Sequence, residues 1–199
     1  MSKLIGYQDP NIIGGLVPIL SQTITSGTAS VSFDIPITYD AYSWRFYNIH
    51  PASTTYANGR LSFQVNATDG ADFNDSLMMT TTWVQYHEED AGSAVTTIYD
   101  SDDEANLANF QKIGSCVGTE ADSGISGWLT MYGTNSGTFV KHFIAQTSGN
   151  TDNTAGGNDQ VQHRFTAGYV NDTTIIDEIN FKFVSDNIDS GIFSMYGVI

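Results

Sequence analysis

Apolar and polar side chains alternate along much of the chain after residue 30, which is the pattern of β-strands with one buried face. In the clearest segment, 60–68, polar residues alternate with Leu61, Phe63, Val65 and Ala67. About ten such segments recur along the chain, separated by polar stretches of uneven length. Because uneven connections of this kind suit Greek-key topologies, we predict an all-β fold, a jelly-roll-like or Greek-key antiparallel β-sandwich.

The last two strand-like segments, 176–184 and 191–198, are joined by a polar turn, and we predict that they pair as a hairpin in the sandwich core. The second segment is apolar on both faces, which is typical of a strand inside a sheet or between packed layers. Its sequence IFSMYG at 192–197 is similar to WLTMYG at 128–133. We interpret the two as core strands under the same packing demands, because no other part of the chain repeats.

Two stretches depart from the strand pattern. Between residues 100 and 112, Leu107 and Phe110 lie three positions apart behind acidic residues, so either one or two helical turns or an irregular segment would suit. Residues 148–159 are rich in Gly, Asn, Asp and Thr, and we predict a long polar surface loop there.

Residues 1–22 differ from the rest of the chain. The stretch 11–20 is apolar but contains a Gly pair and a proline, so we expect neither a helix nor a regular strand there. Two interpretations remain open, a loop packed across its own domain and an extended arm that lies on a neighbouring subunit. We therefore divide the chain into an N-terminal arm, 1–22, and a single β-sandwich domain, 23–199. In the second interpretation the candidate partner-binding residues are Ile12, Ile13, Leu16, Val17, Pro18, Ile19 and Leu20.

Charge and hydropathy exclude two classes of partner. The chain carries 22 Asp and Glu against 7 Lys and Arg, a net charge of −15. Such a surface repels nucleic acid and anionic membranes, and no basic patch offsets the repulsion. No stretch approaches the roughly 20 apolar residues of a membrane span, and the N-terminus lacks the features of a secretory signal. We expect neither nucleic acid nor membrane as a partner.

Candidate metal ligands are few and scattered. The single cysteine, Cys116, excludes an intrachain disulfide and is interpreted as a small buried residue. His142 and His163 lie on strands that could pair and share a metal, but no ligand spacing supports such a site. Three acidic segments lack the residue order of known calcium loops, namely 69–75, 100–104 and 150–159. We predict no metal and no cofactor.

No motif in the sequence names a reaction. The chain lacks a nucleophile elbow, a phosphate-binding loop and a dinucleotide fingerprint, so we predict no catalytic residue. Exposed Trp side chains on a β-sandwich can bind sugars by stacking, and the candidates are Trp44, Trp83 and Trp128. Each lies in an apolar alternation, so we predict a place in the core for most of them.

Five short segments resemble parts of small β-sandwich structural proteins of tailed bacteriophages, especially marine ones. Three lie at the C-terminal end: INFKF at 179–183, NIDSG at 187–191 and the pair Tyr196-Gly197. The other two are VKHF at 140–143 and FTAGY at 165–169. The resemblance covers roughly the last 75 residues.

This resemblance implies a non-enzymatic virion component that is made in the host cytoplasm. The role that it favours is a capsid decoration or cement protein, which binds the head shell and copies of itself. The alternative is a tail-fibre or receptor-binding module that binds host surface glycans. The implied partners are phage capsid or tail proteins, with a homo-oligomer expected, and the resemblance implies no catalytic residue.

Overall fold

A computed structural model describes residues 15–52, 59–70, 72–73, 76–88, 94–98, 100–115, 123–153 and 158–199. Two antiparallel sheets pack face to face in this part of the chain, which confirms the predicted all-β sandwich. The only helical segment in the described residues is a single 3-10 turn, Asp100–Asp102. In chain order the strands are β1 (Leu16–Ile24), β2 (Val31–Asp34), β3 (Ala41–Pro51), β4 (Leu61–Ala67), β5 (Met78–Glu88), β6 (Ala94–Ile98), β7 (Ala105–Leu107), β8 (Gln111–Lys112), β9 (Ile125–Tyr132), β10 (Lys141–Asn153), β11 (Asn158–Val170), β12 (Ile176–Phe183) and β13 (Ile188–Val198).

The two sheets differ in size. The large sheet has nine strands in the order β1-β13-β3-β9-β10-β11-β5-β6, with β7 also paired to β5. The small sheet has four strands in the order β2-β12-β4-β8. Because consecutive strands often lie in different sheets, the chain passes repeatedly from one layer to the other, as Greek-key connections do.

The predicted C-terminal hairpin is wrong, although both of its strands do lie in the core. β12 belongs to the small sheet and β13 to the large one, so the chain changes layers between them. β13 lies between β1 and β3, with Phe193 and Met195 in the core and Ile192 and Tyr196 on the other side of the large sheet. β9, which carries the similar sequence, is the other neighbour of β3. Both strands therefore meet the same packing demands, as the sequence predicted.

Aromatic rings from both sheets meet at the centre of the core. Phe181 on β12 is fully buried and lies 5.3 Å from Phe46 and 5.6 Å from Phe193, measured between ring centroids. Trp44 lies 6.1 Å from the same ring, with its own side chain fully buried. Phe33 and Phe63 flank Phe181 within the small sheet, each at 6.3 Å. Phe181 thus joins rings from four other strands.

Two local predictions fail because strand pairing extends further than the sequence suggested. β10 and β11 form a long antiparallel ribbon that reaches the pair Asn153 and Asn158, so most of the polar segment 148–159 is strand. Between residues 100 and 112 the helix is limited to the 3-10 turn, and the chain then forms the short strands β7 and β8. The helical alternative there is wrong, because Asp102 turns inward to ionic partners instead of heading an exposed helix.

The N-terminal segment is partly regular. Leu16–Ile24 forms β1, which pairs with β13 and crosses the predicted boundary at residue 22. The expectation of irregular structure is therefore wrong from Leu16 onward. Pro18 is tolerated because β1 is an edge strand and its register shifts between Pro18 and Leu20. Ile12 and Ile13 lie outside the described residues.

Candidate assembly surfaces

β1 presents an uncharged and open sheet edge. Within the described residues, β13 is the only strand that pairs with it. Its sequence, LVPILSQTI, has no charged residue. Leu16, Ile19 and Leu20 are 42 %, 37 % and 49 % exposed. Natural sheet edges are usually protected by charged side chains, proline or a bulge, or are covered by another element. β1 has Pro18 and a register shift beside it but no charged side chain, so its edge is only partly protected and can accept a partner.

The large sheet has a second exposed surface on the side away from the core. Directly opposed residues of antiparallel strands point to the same side of a sheet, so the pairing defines rows of outward side chains. One row crosses seven strands through Ser21, Ser194, Arg45, Trp128, Gln146, Phe165 and Trp83. The next row contains Tyr196, Ser43, Thr130, Ile144, Ala167 and Thr81.

Aromatic and aliphatic side chains flank these two rows on the same side of the sheet. Tyr47, Tyr132 and Ile192 are exposed, at 46 %, 44 % and 38 %. We call the two rows and these flanking residues together the outer face; the flanking residues are Tyr47, Met79, Tyr132, His142, His163, Tyr169 and Ile192.

The rings of the outer face contact one another. Trp83 is stacked on Phe165, with centroids 5.5 Å apart and planes 28° apart, and its other ring neighbour is His163 at 5.7 Å. The guanidinium of Arg45 lies over Trp128, 5.8 Å from the ring centroid. Since these ring surfaces are already partly covered, the outer face is a close-packed layer rather than a set of isolated rings.

Charge is nearly absent from the outer face. None of its residues is Asp or Glu, although the chain has 22 of them. Arg45 is its only Lys or Arg. The pKa of Tyr47 is raised by the loss of hydration and by its hydrogen bond with Tyr196, so Tyr47 stays neutral near pH 7.

The structure separates the three tryptophans. Trp44 is in the core, as predicted, whereas Trp83 and Trp128 lie on the outer face, so core placement is wrong for those two. The alternation in their strands is real, but their side of the large sheet is not covered by the small sheet. His142 and His163 are on paired strands, yet they are not opposed: His142 faces Tyr169, and His163 faces Ser148.

A buried ionic centre joins the two sheets. No motif in the sequence predicted it. The Asp102 side chain is completely buried. Its Oδ1 accepts hydrogen bonds from Arg60 Nη1 at 2.6 Å and Lys112 Nζ at 2.9 Å. Its Oδ2 accepts one from Arg164 Nη1 at 2.7 Å. Lys112 belongs to the small sheet and Arg164 to the large one, so the carboxylate bridges both layers. We interpret this centre as structural.

The ionic centre makes a prediction for acid stability. Burial alone would raise the pKa of Asp102, but the hydrogen bond from Lys112 and the charges of Arg164 and Arg60 outweigh it, so the pKa lies below the ordinary 3.8. The ionised group therefore stabilises the fold above the unfolded-state pKa of about 3.9, and this contribution is lost as the pH falls through the folded-state value. The free energy of unfolding, measured in urea, should fall more steeply below about pH 4 for the wild type than for Asp102→Asn, whose side chain at residue 102 cannot titrate. If the free energies of both proteins fell in parallel with pH, this prediction would be contradicted.

A cleft of about 430 Å³ lies beside this centre. It is lined by Lys112 and Lys182 and also by Asp103 and Glu104, so it carries charges of both signs. Lys112 binds Asp102, Glu104 accepts a hydrogen bond from Asn109 at 2.9 Å, and Lys182 lies 3.9 Å from the centroid of the Phe110 ring. The cleft shows no arrangement of an acid, a base and a nucleophile.

The other candidate ligands are not brought together. No group of three or more His, Cys, Asp or Glu side chains in the described residues could hold a metal ion. Both carboxylate oxygens of Asp102, in the acidic segment 100–104, bind cationic side chains. Cys116 lies outside the described residues. No helix in the described part of the chain is long and apolar enough to cross a membrane.

Comparison with known proteins adds no relative. No protein-family model, no curated protein and no solved structure matches this chain.

Proposed function

We propose that this protein is a non-enzymatic structural component of a phage virion, most specifically a capsid decoration or cement protein that docks on the head shell through β1. The observation that carries the proposal is the open, uncharged edge of β1 with its exposed Leu16, Ile19 and Leu20. The resemblance of residues 179–183 and 187–191 to phage sandwich proteins supports the setting.

The edge offers two kinds of contact to a shell protein. Backbone N–H and C=O groups on the open side of β1 can pair with an extended segment of the partner, which supplies affinity without depending on sequence. The exposed aliphatic side chains then select a partner segment with apolar pockets. Ile12 and Ile13, which precede β1 in the chain, would extend the same apolar contact.

The tail-fibre alternative needs an exposed platform for glycans. Trp83 and Trp128 are on the surface, but one face of each ring is already in contact with Phe165 or Arg45. We therefore rank the glycan-binding role second. A glycan array that shows saturable binding by the purified protein, together with no binding to heads, would replace the decoration role with the tail-fibre role.

Lysine substitutions on β1 test the decoration role. Leu16→Lys and Leu20→Lys should each weaken binding to virus heads at least tenfold, because burial of a Leu side chain contributes about 1.5 kcal/mol or more. The measurement is co-sedimentation of added protein with heads of the encoding virus from which the protein has been stripped. Ile37→Lys is the matched control, since Ile37 is an exposed aliphatic residue outside β1.

Circular dichroism should show that all three variants are folded, because each changes an exposed side chain. If both β1 variants bind heads as well as the Ile37→Lys control does, β1 is not the docking edge. If the wild type does not bind heads and is absent from purified particles by mass spectrometry, the decoration role itself is wrong.

A further inference from the structure

We infer that the outer face of the large sheet binds the outer face of a second copy of this chain, forming a symmetric face-to-face dimer. The inference concerns a surface distinct from the β1 edge, and it rests on no assumption about a particle. It gives the expected homo-oligomer a specific interface.

The rings of the outer face are of the types found in protein–protein interfaces. The buried centres of such interfaces are enriched in Tyr, Trp, Phe, Met and Arg and depleted in Asp, Glu, Lys, Ser and Ala. Ser21, Ser43, Ser194 and Ala167 depart from that composition. The outer face has Tyr47, Tyr132 and Tyr196 along one side, and Trp83 stacked on Phe165 along the other. It contains no Asp, Glu or Lys.

Charge favours a second copy over other protein partners. Each copy has a net charge of −15, so two copies repel one another over most of their surfaces. None of the residues that define the outer face is acidic, so two copies can approach there with little charge repulsion. A cationic partner would instead be attracted to the acidic surfaces elsewhere.

The size of the face is also appropriate. Seven adjacent strands spaced by about 4.8 Å and outward side chains over about 20 Å of strand give roughly 670 Å² for each copy. A standard stable interface buries about 800 Å² on each partner. Two sheets pack face to face at about 10 Å, and a twofold axis lets one patch complement itself. An aromatic face of this size left in water would be a liability.

A sugar chain suits the same face less well. Stacking on a sugar needs an uncovered ring face, whereas Trp83 lies against Phe165 and Trp128 lies under Arg45. Rings that stand against one another present their edges, and edges interdigitate with side chains from a second sheet.

Sedimentation velocity of the purified full chain over a range of concentrations tests the inference. We expect a species of twice the 21.6 kDa chain mass, which dissociates on dilution. Tyr132→Glu and Ile192→Glu place a carboxylate on the acid-free face and should each raise the dissociation constant at least a hundredfold. Val184→Glu is the matched control, because Val184 is 42 % exposed but follows β12 on the small-sheet side.

Several results would overturn the inference. The first is a wild type that stays monomeric at several hundred micromolar. The second is a pair of face variants whose dimers dissociate no more readily than those of Val184→Glu. The third is a dimer that is lost in Leu20→Lys but kept in both face variants. Saturable quenching of Trp fluorescence by neutral oligosaccharides in a monomeric protein would assign the face to sugars instead. Circular dichroism separates loss of association from loss of folding, and two independent face variants guard against one that misfolds.

This experiment uses the isolated protein, so its outcome is independent of head binding. A dimer whose face variants still bind heads would leave β1 as the docking edge. A dimer that fails to bind heads would remove the decoration role and leave the outer-face interface intact.

Discussion

Replacing Asp102 by Asn should lower the free energy of unfolding by about 3–5 kcal/mol, which is the usual cost of removing one member of a buried ion cluster. Asn keeps the size of the side chain but removes the negative charge between Arg60, Lys112 and Arg164. Arg164 is only 1 % exposed, so its charge would remain buried beside two other cations. Urea unfolding monitored by Trp fluorescence at pH 7 gives the difference from the wild type.

The control for this substitution is Asp189→Asn. Asp189 is a surface carboxylate that lies 3.9 Å from the Nδ1 atom of His50, with 52 % of its side chain exposed. Exposed pairs of this kind contribute about 1 kcal/mol or less. If both variants lowered the free energy of unfolding by a similar amount, the buried carboxylate would not stabilise the contact between the two sheets. If Asp102→Asn were as stable as the wild type, the three cations would have another counter-charge.

Replacing Phe181 by Ala should cost about 3–5 kcal/mol, since it removes a fully buried ring and leaves a cavity between the sheets. The effect should lie near the upper end of that range because five other rings lie within 6.3 Å of Phe181. Rigid neighbours on both sheets limit how far the cavity can collapse. The urea midpoint should fall with little change in the slope of the transition.

Two further variants separate ring packing from a general effect of losing a phenylalanine. Phe181→Leu keeps most of the apolar volume and should cost clearly less than Phe181→Ala. Phe139→Ala removes a ring that is 73 % exposed and should change stability by about 0.5 kcal/mol or less. Equal losses for Phe181→Ala and Phe139→Ala would show that the aromatic cluster is not the centre of the core.

Local alternation predicted most of the strands after residue 30. Leu61, Phe63 and Val65 are buried as the period of two predicts, although Ser62 and Gln64 on the other side of β4 are buried as well. The period does not reveal which sheet a strand joins. β12 and β13 therefore read as a hairpin, although the chain changes layers between them.

The surfaces and the ionic centre were less accessible to sequence reasoning. Trp83 and Trp128 lie in strands with alternating apolar residues. Alternation does not show which face of the large sheet packs against the small, four-stranded sheet, and these two rings lie on the other face. The Asp102 centre depends on Arg60, Lys112 and Arg164, which lie 42, 10 and 62 positions away from it. One usable signal was that charged residues occur inside otherwise strand-like segments of a chain with only seven Lys and Arg residues.

The pairing of β1 with β13 also sets the order of events when the chain is made. Leu16 is opposed to Val198, so β1 cannot pair until residues 188–198 have been made. β3 can pair with β9 earlier, but its other side also needs β13. Contacts this distant in sequence slow folding and leave apolar strands unpaired during synthesis. Synthesis that stalls before residue 188 therefore leaves β1 and one side of β3 unpaired, and such a nascent chain is prone to aggregate.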